Sequence, residues 1–377
     1  MNKKPHIGLI LALMMFPQIV ETIYSPVLPN LANSFEISIH TATQTLSIYF
    51  SAFAFGVICW GRIADLIGRR PTMLIGLCTY GLGSTLALLA TDFDMIMAAR
   101  FISAFGAAVG SVVTQTMLRD SYDGHDLIKV FTLMGMGISL SPVIGLISGG
   151  FIADYAGHLG VFSVLLILAV LLFLVTLQAL PETRPDNIAK VNLRTLLIRM
   201  LKDSDIRYNA VLVALFNLVL FSYYSLAPFI FNKLGFSAIE FGYTGIALAC
   251  GSLLGSLLNK RLLQAKYTSQ SLLRLACGLV LIGSTGVYIT QDSIWLLVPM
   301  LIVVMSYGIA IPNILAHALT QYKDVAGSAG AVFGLLYYLL LGAALAVTGV
   351  LNNLGLVLMF AAAIILCCTY QLTKTNA

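Results

Sequence analysis

Two ionisable side chains, Glu21 and Arg100, stand well inside long apolar runs of this chain, where water to solvate a charge is scarce. An ionised group at a bilayer centre costs at least about 2.5 kcal/mol, so such residues face a cavity or a partner and mark a functional site by default. Burial favours the neutral form of a carboxylic acid, and a nearby cation favours the charged form; arginine stays charged throughout. A Glu–Arg couple in such a place is a candidate proton switch, because water or substrate moving between the groups shifts the balance. The same couple read as a static ion pair would fix two helices together, a costly joint inside a membrane. A second segment with chemistry is Gly61-Arg62-Ile63-Ala64-Asp65-Leu66-Ile67-Gly68-Arg69-Arg70-Pro71. Asp65 is one carboxylate among three arginines and can accept charge-assisted hydrogen bonds or cap a helix. Gly61 and Gly68 permit close backbone approach or a positive φ. A third is Ser139-Leu140-Ser141-Pro142-Val143-Ile144-Gly145, followed by Gly149-Gly150. There proline frees a carbonyl and bends a helix, and the glycines admit a close neighbour.

The elements that hold these residues follow from composition. Of 377 residues, 59% are hydrophobic and 10% are Asp, Glu, Lys or Arg, against about a quarter charged in soluble domains. Mean hydropathy is +0.93. So few charges cannot cover so much apolar surface in a soluble fold, and disorder is excluded too. A membrane span needs about 20 apolar residues, and twelve runs qualify: 7–30, 41–61, 72–90, 95–117, 130–152, 159–179, 208–231, 240–258, 271–289, 294–316, 326–348 and 354–372. With both termini in the cytoplasm, all of the 21 basic residues except Lys233 and Arg100 fall inside, the asymmetry that orients membrane proteins. The net charge of +5 is then a matter of topology, and no nucleic-acid partner is implied. The polar stretch Pro181 to Arg207 divides the chain into a six-helix bundle over 1–180, a cytoplasmic linker over 181–207 and a second bundle over 208–377. A short repeat supports two parallel halves: Tyr24-Ser25-Pro26 near the end of span one and Tyr224-Ser225 near the end of span seven. On that plan Glu21 and Arg100 lie about 13 and 8 Å from the outer surface, close enough to meet. The six cysteines sit in apolar runs and the five histidines are scattered, so no metal site is expected. No HExxH, GxSxG or CxxC pattern suggests an enzyme, and no large loop suggests a receptor.

The segment from Gly61 to Pro71 resembles the signature loop of the major facilitator superfamily: glycine, three residues, aspartate, two residues, glycine, then basic residues. That resemblance implies an all-α integral membrane fold of twelve helices in two pseudo-symmetric six-helix bundles, working by alternating access. It also implies that Asp65, Arg69 and Arg70 clasp neighbouring helices on the cytoplasmic side, with Asp120 as a partner of the basic residues. Ser141, Pro142 and Gly145 resemble the antiporter motif of the drug:proton exporters, with Ser141 where glycine is usual. Tyr24 to Pro29, Arg119-Asp120, Ile311-Pro312-Asn313 and Ala326 to Gly330 resemble the Bcr/CflA-type multidrug branch. The implied activity is proton-coupled export of small amphipathic compounds by a monomer among the lipids of a bacterial inner membrane, driven by the proton gradient with no cofactor. A defined cargo is the alternative, such as a carboxylate siderophore or organic acid held by Arg100. Tyr24, Asn217, Tyr223, Tyr224, Asn313, Tyr337 and Tyr338 are the candidate cavity residues, each also readable as helix packing or interfacial belt.

Overall fold

The computed structural model describes residues 4–185 and 192–375. Lys3 and Lys190, which enter the charge asymmetry above, lie outside the described residues, as do the side chains of Lys323 and Lys374. Among the described residues there is no strand; the long elements are α1 (Ile7–Thr22), α2 (Leu28–Ser34), α3 (Ile39–Ile67), α4 (Arg69–Leu88), α5 (Phe93–Ser121), α6 (Gly124–Ala179), α7 (Leu193–Lys202), α8 (Ser204–Lys233), α9 (Ala238–Gln264), α10 (Ser269–Thr290), α11 (Leu297–Ala318), α12 (Ala326–Leu351) and α13 (Leu354–Thr375). Their starts are written locally. The Ser38 hydroxyl accepts the Thr41 N–H at 3.1 Å, the Asp92 carboxylate accepts that of Met95 at 2.8 Å, and Thr268 accepts that of Ser271 at 3.2 Å. Ser237 and Glu240 bond reciprocally to each other's N–H groups. Each cap satisfies donors that a helix N-terminus leaves open.

Helix α6 has 56 residues, about 84 Å if straight, against roughly 30 Å of hydrocarbon. The chain reverses at Gly157, with φ 59° and ψ −156°. Asp120, just before α6, and Glu182, just after it, both bind Arg69, so the helix leaves and returns to one face. It is a hairpin of two spans, 124–156 and 158–179. This reconciles eleven long apolar helices with twelve apolar runs. The His158 N–H donates to Asn30 Oδ1 at 2.9 Å, which anchors the second leg on α2. Span one departs from the unbroken run expected. It stops at Thr22, passes through a 3-10 turn at Ser25–Val27 and resumes as α2, because Pro26 and Pro29 supply no N–H to continue the ladder. Glu21 therefore sits in the last turn of a broken helix.

The α3–α4 turn marks one face of the molecule, here termed the loop face. The first six spans meet the last six mainly toward the opposite face. There the Ser47 hydroxyl donates to the Gly342 carbonyl at 2.8 Å, Gln44 Nε2 donates to that of Ala346 at 3.1 Å, and the Ser25 hydroxyl donates to that of Tyr224. The two repeated Tyr-Ser segments thus touch each other. Gly242 of α9 lies directly against the Leu146 carbonyl of α6. Nearer the loop face, Gly137 of α6 turns to Leu11 and Met15 of α1, while Gly251 and Gly255 of α9 turn to α11. Helices α6 and α9 therefore part company toward the loop face.

Candidate functional site

Glu21 is 3% exposed, and neither carboxylate oxygen has a hydrogen-bond partner among the described residues. Arg100, on α5, is 2% exposed. The static Glu21–Arg100 ion pair, the alternative reading of this couple, does not form among the described residues. Instead the Arg100 guanidinium lies 3.9 Å from the Tyr24 ring centroid and 4.5 Å from that of Tyr49. The break after Thr22 brings Tyr24 into this position. A flat, weakly hydrated guanidinium stacks on ring faces for about 2 kcal/mol when desolvated, whereas a buried ion pair must first repay the desolvation of two charges. Arg100 Nε and Nη2 have no partner either. The two side chains remain within electrostatic reach of one another.

The wall around them is aromatic and is built from both halves. Tyr49 donates its hydroxyl to the Pro17 carbonyl at 3.4 Å, one helical turn before Glu21. Tyr224, Tyr307 and Tyr338 lie within electrostatic reach of Glu21. Tyr338 sits 4.9 Å from Phe53 and 4.2 Å from Tyr337, and Phe221 sits 4.4 Å from Phe50, all between ring centroids. A cavity of about 160 Å³ between α1, α6, α8, α9 and α11 takes in Gln18, Ser139, Pro142, Tyr224, Ser252 and Tyr307. Of the candidate residues, Tyr24, Tyr224, Tyr337 and Tyr338 gather here. Asn217 stands behind them, accepting the Tyr307 hydroxyl at 3.4 Å while donating to the Val213 carbonyl. Tyr223 turns away and stacks on Phe241 of α9 at 5.9 Å. Asn313 does not belong here: it donates to Asn259 Oδ1 at 2.7 Å and lines a separate loop-face cavity of about 600 Å³ with Asp203, Asn209, His317 and Tyr322. Its place late in α11 sets it near that face. Sequence reasoning missed Tyr49, Tyr307, Phe50 and Phe53; the cluster Tyr49, Phe50, Phe53 at helical spacing was its only visible signal.

At the loop, Arg69 is the hub. Its Nη1 meets Asp65 Oδ1 at 2.8 Å and the Ala64 carbonyl at 2.8 Å, and its Nε meets Asp120 Oδ2 at 2.8 Å. The clasp joins α3, α4 and α5. Arg70 Nη2 donates to the Leu177 carbonyl at 2.7 Å, adding the second leg of α6. Glu182, which sequence reasoning passed over, accepts the Arg69 N–H at 2.8 Å and the Arg70 N–H at 3.1 Å, capping α4 with a carboxylate. Gly68 has φ 106°, and a Cβ there would run into that carboxylate. The steric reading of Gly61 is corrected: it lies inside α3, and a Cβ would meet only Val112 at an ordinary 3.5 Å.

The Major Facilitator Superfamily profile matches residues 10–347, most of the chain. This chain belongs to the Major Facilitator Superfamily. It is 31% identical over 351 residues to an uncharacterized transporter of Rickettsia bellii, covering 89% of this chain and 87% of that one. It is 24% identical over 339 residues to a bicyclomycin resistance protein homolog of Haemophilus influenzae, covering 85% and 83%. The crystal structure of a D-xylose-proton symporter superposes with a TM-score of 0.75 over 95% of this chain and 96% of that one, at 16% identity. That likeness concerns the fold alone. The protein is a multi-pass membrane transporter of this superfamily and not an enzyme.

In this transporter the segment around Pro142 bears on the candidate site directly. The Ser141 hydroxyl donates to the Gly137 carbonyl at 2.9 Å. Gly145 packs against Thr22 so closely that a Cβ would overlap its hydroxyl, and Thr22 donates that hydroxyl to the Gln18 carbonyl at 2.7 Å. The leg of α6 that carries Pro142 thus presses on the residue after Glu21, at the break in span one. Among the described residues no group of three His, Cys, Asp or Glu could hold a metal.

Proposed function

We propose that this transporter couples proton movement to export of a small amphipathic organic compound, with Glu21 as the proton-carrying group. The loop face is then cytoplasmic, in keeping with the basic residues that gather there, and the membrane is a bacterial inner membrane. Residues before and after the central stretch act as two bodies that rock about the aromatic site. The observation that carries the reading is the buried Glu21 carboxyl without a fixed partner. A carboxyl tied into an ion pair is held in one protonation state, whereas one without a partner can change state as the halves move. Relatives named for drug resistance support amphipathic cargo, as does a wall of tyrosine and phenylalanine rings, which suits partly hydrophobic compounds better than sugars. The test is uptake into proteoliposomes under an imposed pH gradient, screened across cationic drugs, neutral drugs and carboxylates. Accumulation that follows the gradient for amphipathic drugs supports the reading; accumulation indifferent to the gradient removes proton coupling from it.

A second reading is favoured by one feature, the unpartnered Nε and Nη2 of Arg100. Sandwiched by rings on its faces, a guanidinium keeps its edge free to grip a carboxylate. Matched acid and ester forms of one compound separate the readings. Loss of binding in Arg100→Lys for the acid alone favours a carboxylate cargo; equal loss for both forms favours general amphipathic export.

A further inference from the structure

Between the two sets of spans lies α7, a ten-residue helix of sequence Leu-Arg-Thr-Leu-Leu-Ile-Arg-Met-Leu-Lys. Only Asp203 separates it from α8. That residue is pinned: its Oδ1 accepts the Asp205 N–H at 3.0 Å, and its Oδ2 accepts the Tyr322 hydroxyl at 2.9 Å. α7 therefore cannot leave the level at which α8 enters the membrane, and its length is about 15 Å. One face is spent on the protein, with Leu196 and Met200 buried. Arg199 lies over the Tyr322 ring at 4.8 Å, which occupies a second flank. The remaining flank carries Arg194, Ile198 and Leu201, spaced i, i+4, i+7 and therefore aligned. Ile198 and Leu201 are 45% and 44% exposed. Arg194 and Lys202, near the two ends, are exposed and have no ion-pair partner among the described residues.

Two aligned apolar side chains facing outward from a membrane protein, bracketed by unpaired cations at the level of the membrane surface, match the chemistry of a phospholipid interface. The apolar tips suit the acyl boundary, and the cations suit phosphate oxygens just above it. Charge complementarity selects anionic over zwitterionic headgroups. We propose that the Arg194–Ile198–Leu201 flank, with Lys202, is a docking site for anionic phospholipid on the loop-face leaflet. Through Arg199, Tyr322 and Asp203 the same helix is tied to the start of α8, so lipid at this site steadies the junction between the two sets of spans.

The test is hydrogen exchange of the peptide over 193–202 in the full-length protein, held in nanodiscs of phosphatidylcholine alone or of phosphatidylcholine with phosphatidylglycerol. The protein is expected to exchange more slowly in the anionic bilayer, by roughly fivefold for each basic residue engaged. Arg194→Gln with Lys202→Gln should erase that difference, and Arg194→Lys with Lys202→Arg should keep it. Ile198→Ser with Leu201→Ser should speed exchange in both bilayers. Equal exchange of the unmodified protein in the two bilayers overturns the proposal. So does a difference that survives in the double glutamine variant, or a double serine variant that exchanges like the parent.

Discussion

Arg100 spends its charge on the faces of Tyr24 and Tyr49, and this leaves Glu21 unpaired. Tyr49→Leu should therefore lower stability by about 1–2 kcal/mol, the worth of a desolvated cation–π contact. Tyr49→Phe keeps the ring and loses only the long hydroxyl contact to Pro17, so it should cost less than about 1 kcal/mol. Thermal unfolding of the purified protein measures both; equal losses would show that the hydroxyl, not the ring, matters. Glu21 and Arg100 were legible in the sequence as charges where charge is expensive. Their separation was not. Depth along two ideal helices brings them together, and only the break after Thr22, with the ring of Tyr24 it delivers, sends Arg100 elsewhere. Tyr307 was invisible for a related reason: a tyrosine in a span looks the same whether it faces lipid or a neighbouring helix.

Among the elements, the broken span one and the first leg of α6 pack directly on one another at Gly145 and Gly149. Gly145→Ala places a methyl against the Thr22 hydroxyl and should destabilise the protein by about 1–3 kcal/mol through overpacking. Adding Thr22→Ala should recover part of that loss, and a double variant no better than Gly145→Ala alone would show that the strain lies in the backbone. At the loop, Glu182→Gln keeps the shape of the α4 cap but removes its charge. The expected loss is about 1 kcal/mol, lessened by salt because Glu182 is exposed; a loss independent of salt would argue against a charge effect. The loop spacing pointed to Asp65 and Arg69, and the place of Asp120 at the end of span four suggested it as their partner. Glu182 lies more than a hundred residues from the turn it caps, and no local pattern joins the two. Gly68 was legible because a positive φ is local, while the close packing assigned to Gly61 depends on a neighbour that the sequence does not place.

Across the whole molecule, twelve apolar runs gave the spans, and the hairpin at Gly157 falls in the gap between the runs 130–152 and 159–179. Which face is closed was not legible, since it depends on contacts such as those of Ser47 with Gly342 and of Ser25 with Tyr224. The Arg69 clasp binds three helices of the first half into one body. Asp65→Asn removes one of the two carboxylates that the Arg69 guanidinium binds while leaving Asp120, so the protein should insert and purify normally yet transport several-fold more slowly. A normal rate in proteoliposomes would take the clasp out of the transport cycle. The central claim is that Glu21 carries the coupled proton. It is tested most directly by comparing the parent protein with Glu21→Gln in proteoliposomes, measuring both substrate binding and accumulation under a pH gradient. The expected result is that Glu21→Gln still binds the compound but no longer concentrates it, because glutamine keeps the shape and cannot titrate. Accumulation in the Glu21→Gln protein equal to that of the parent would contradict the claim.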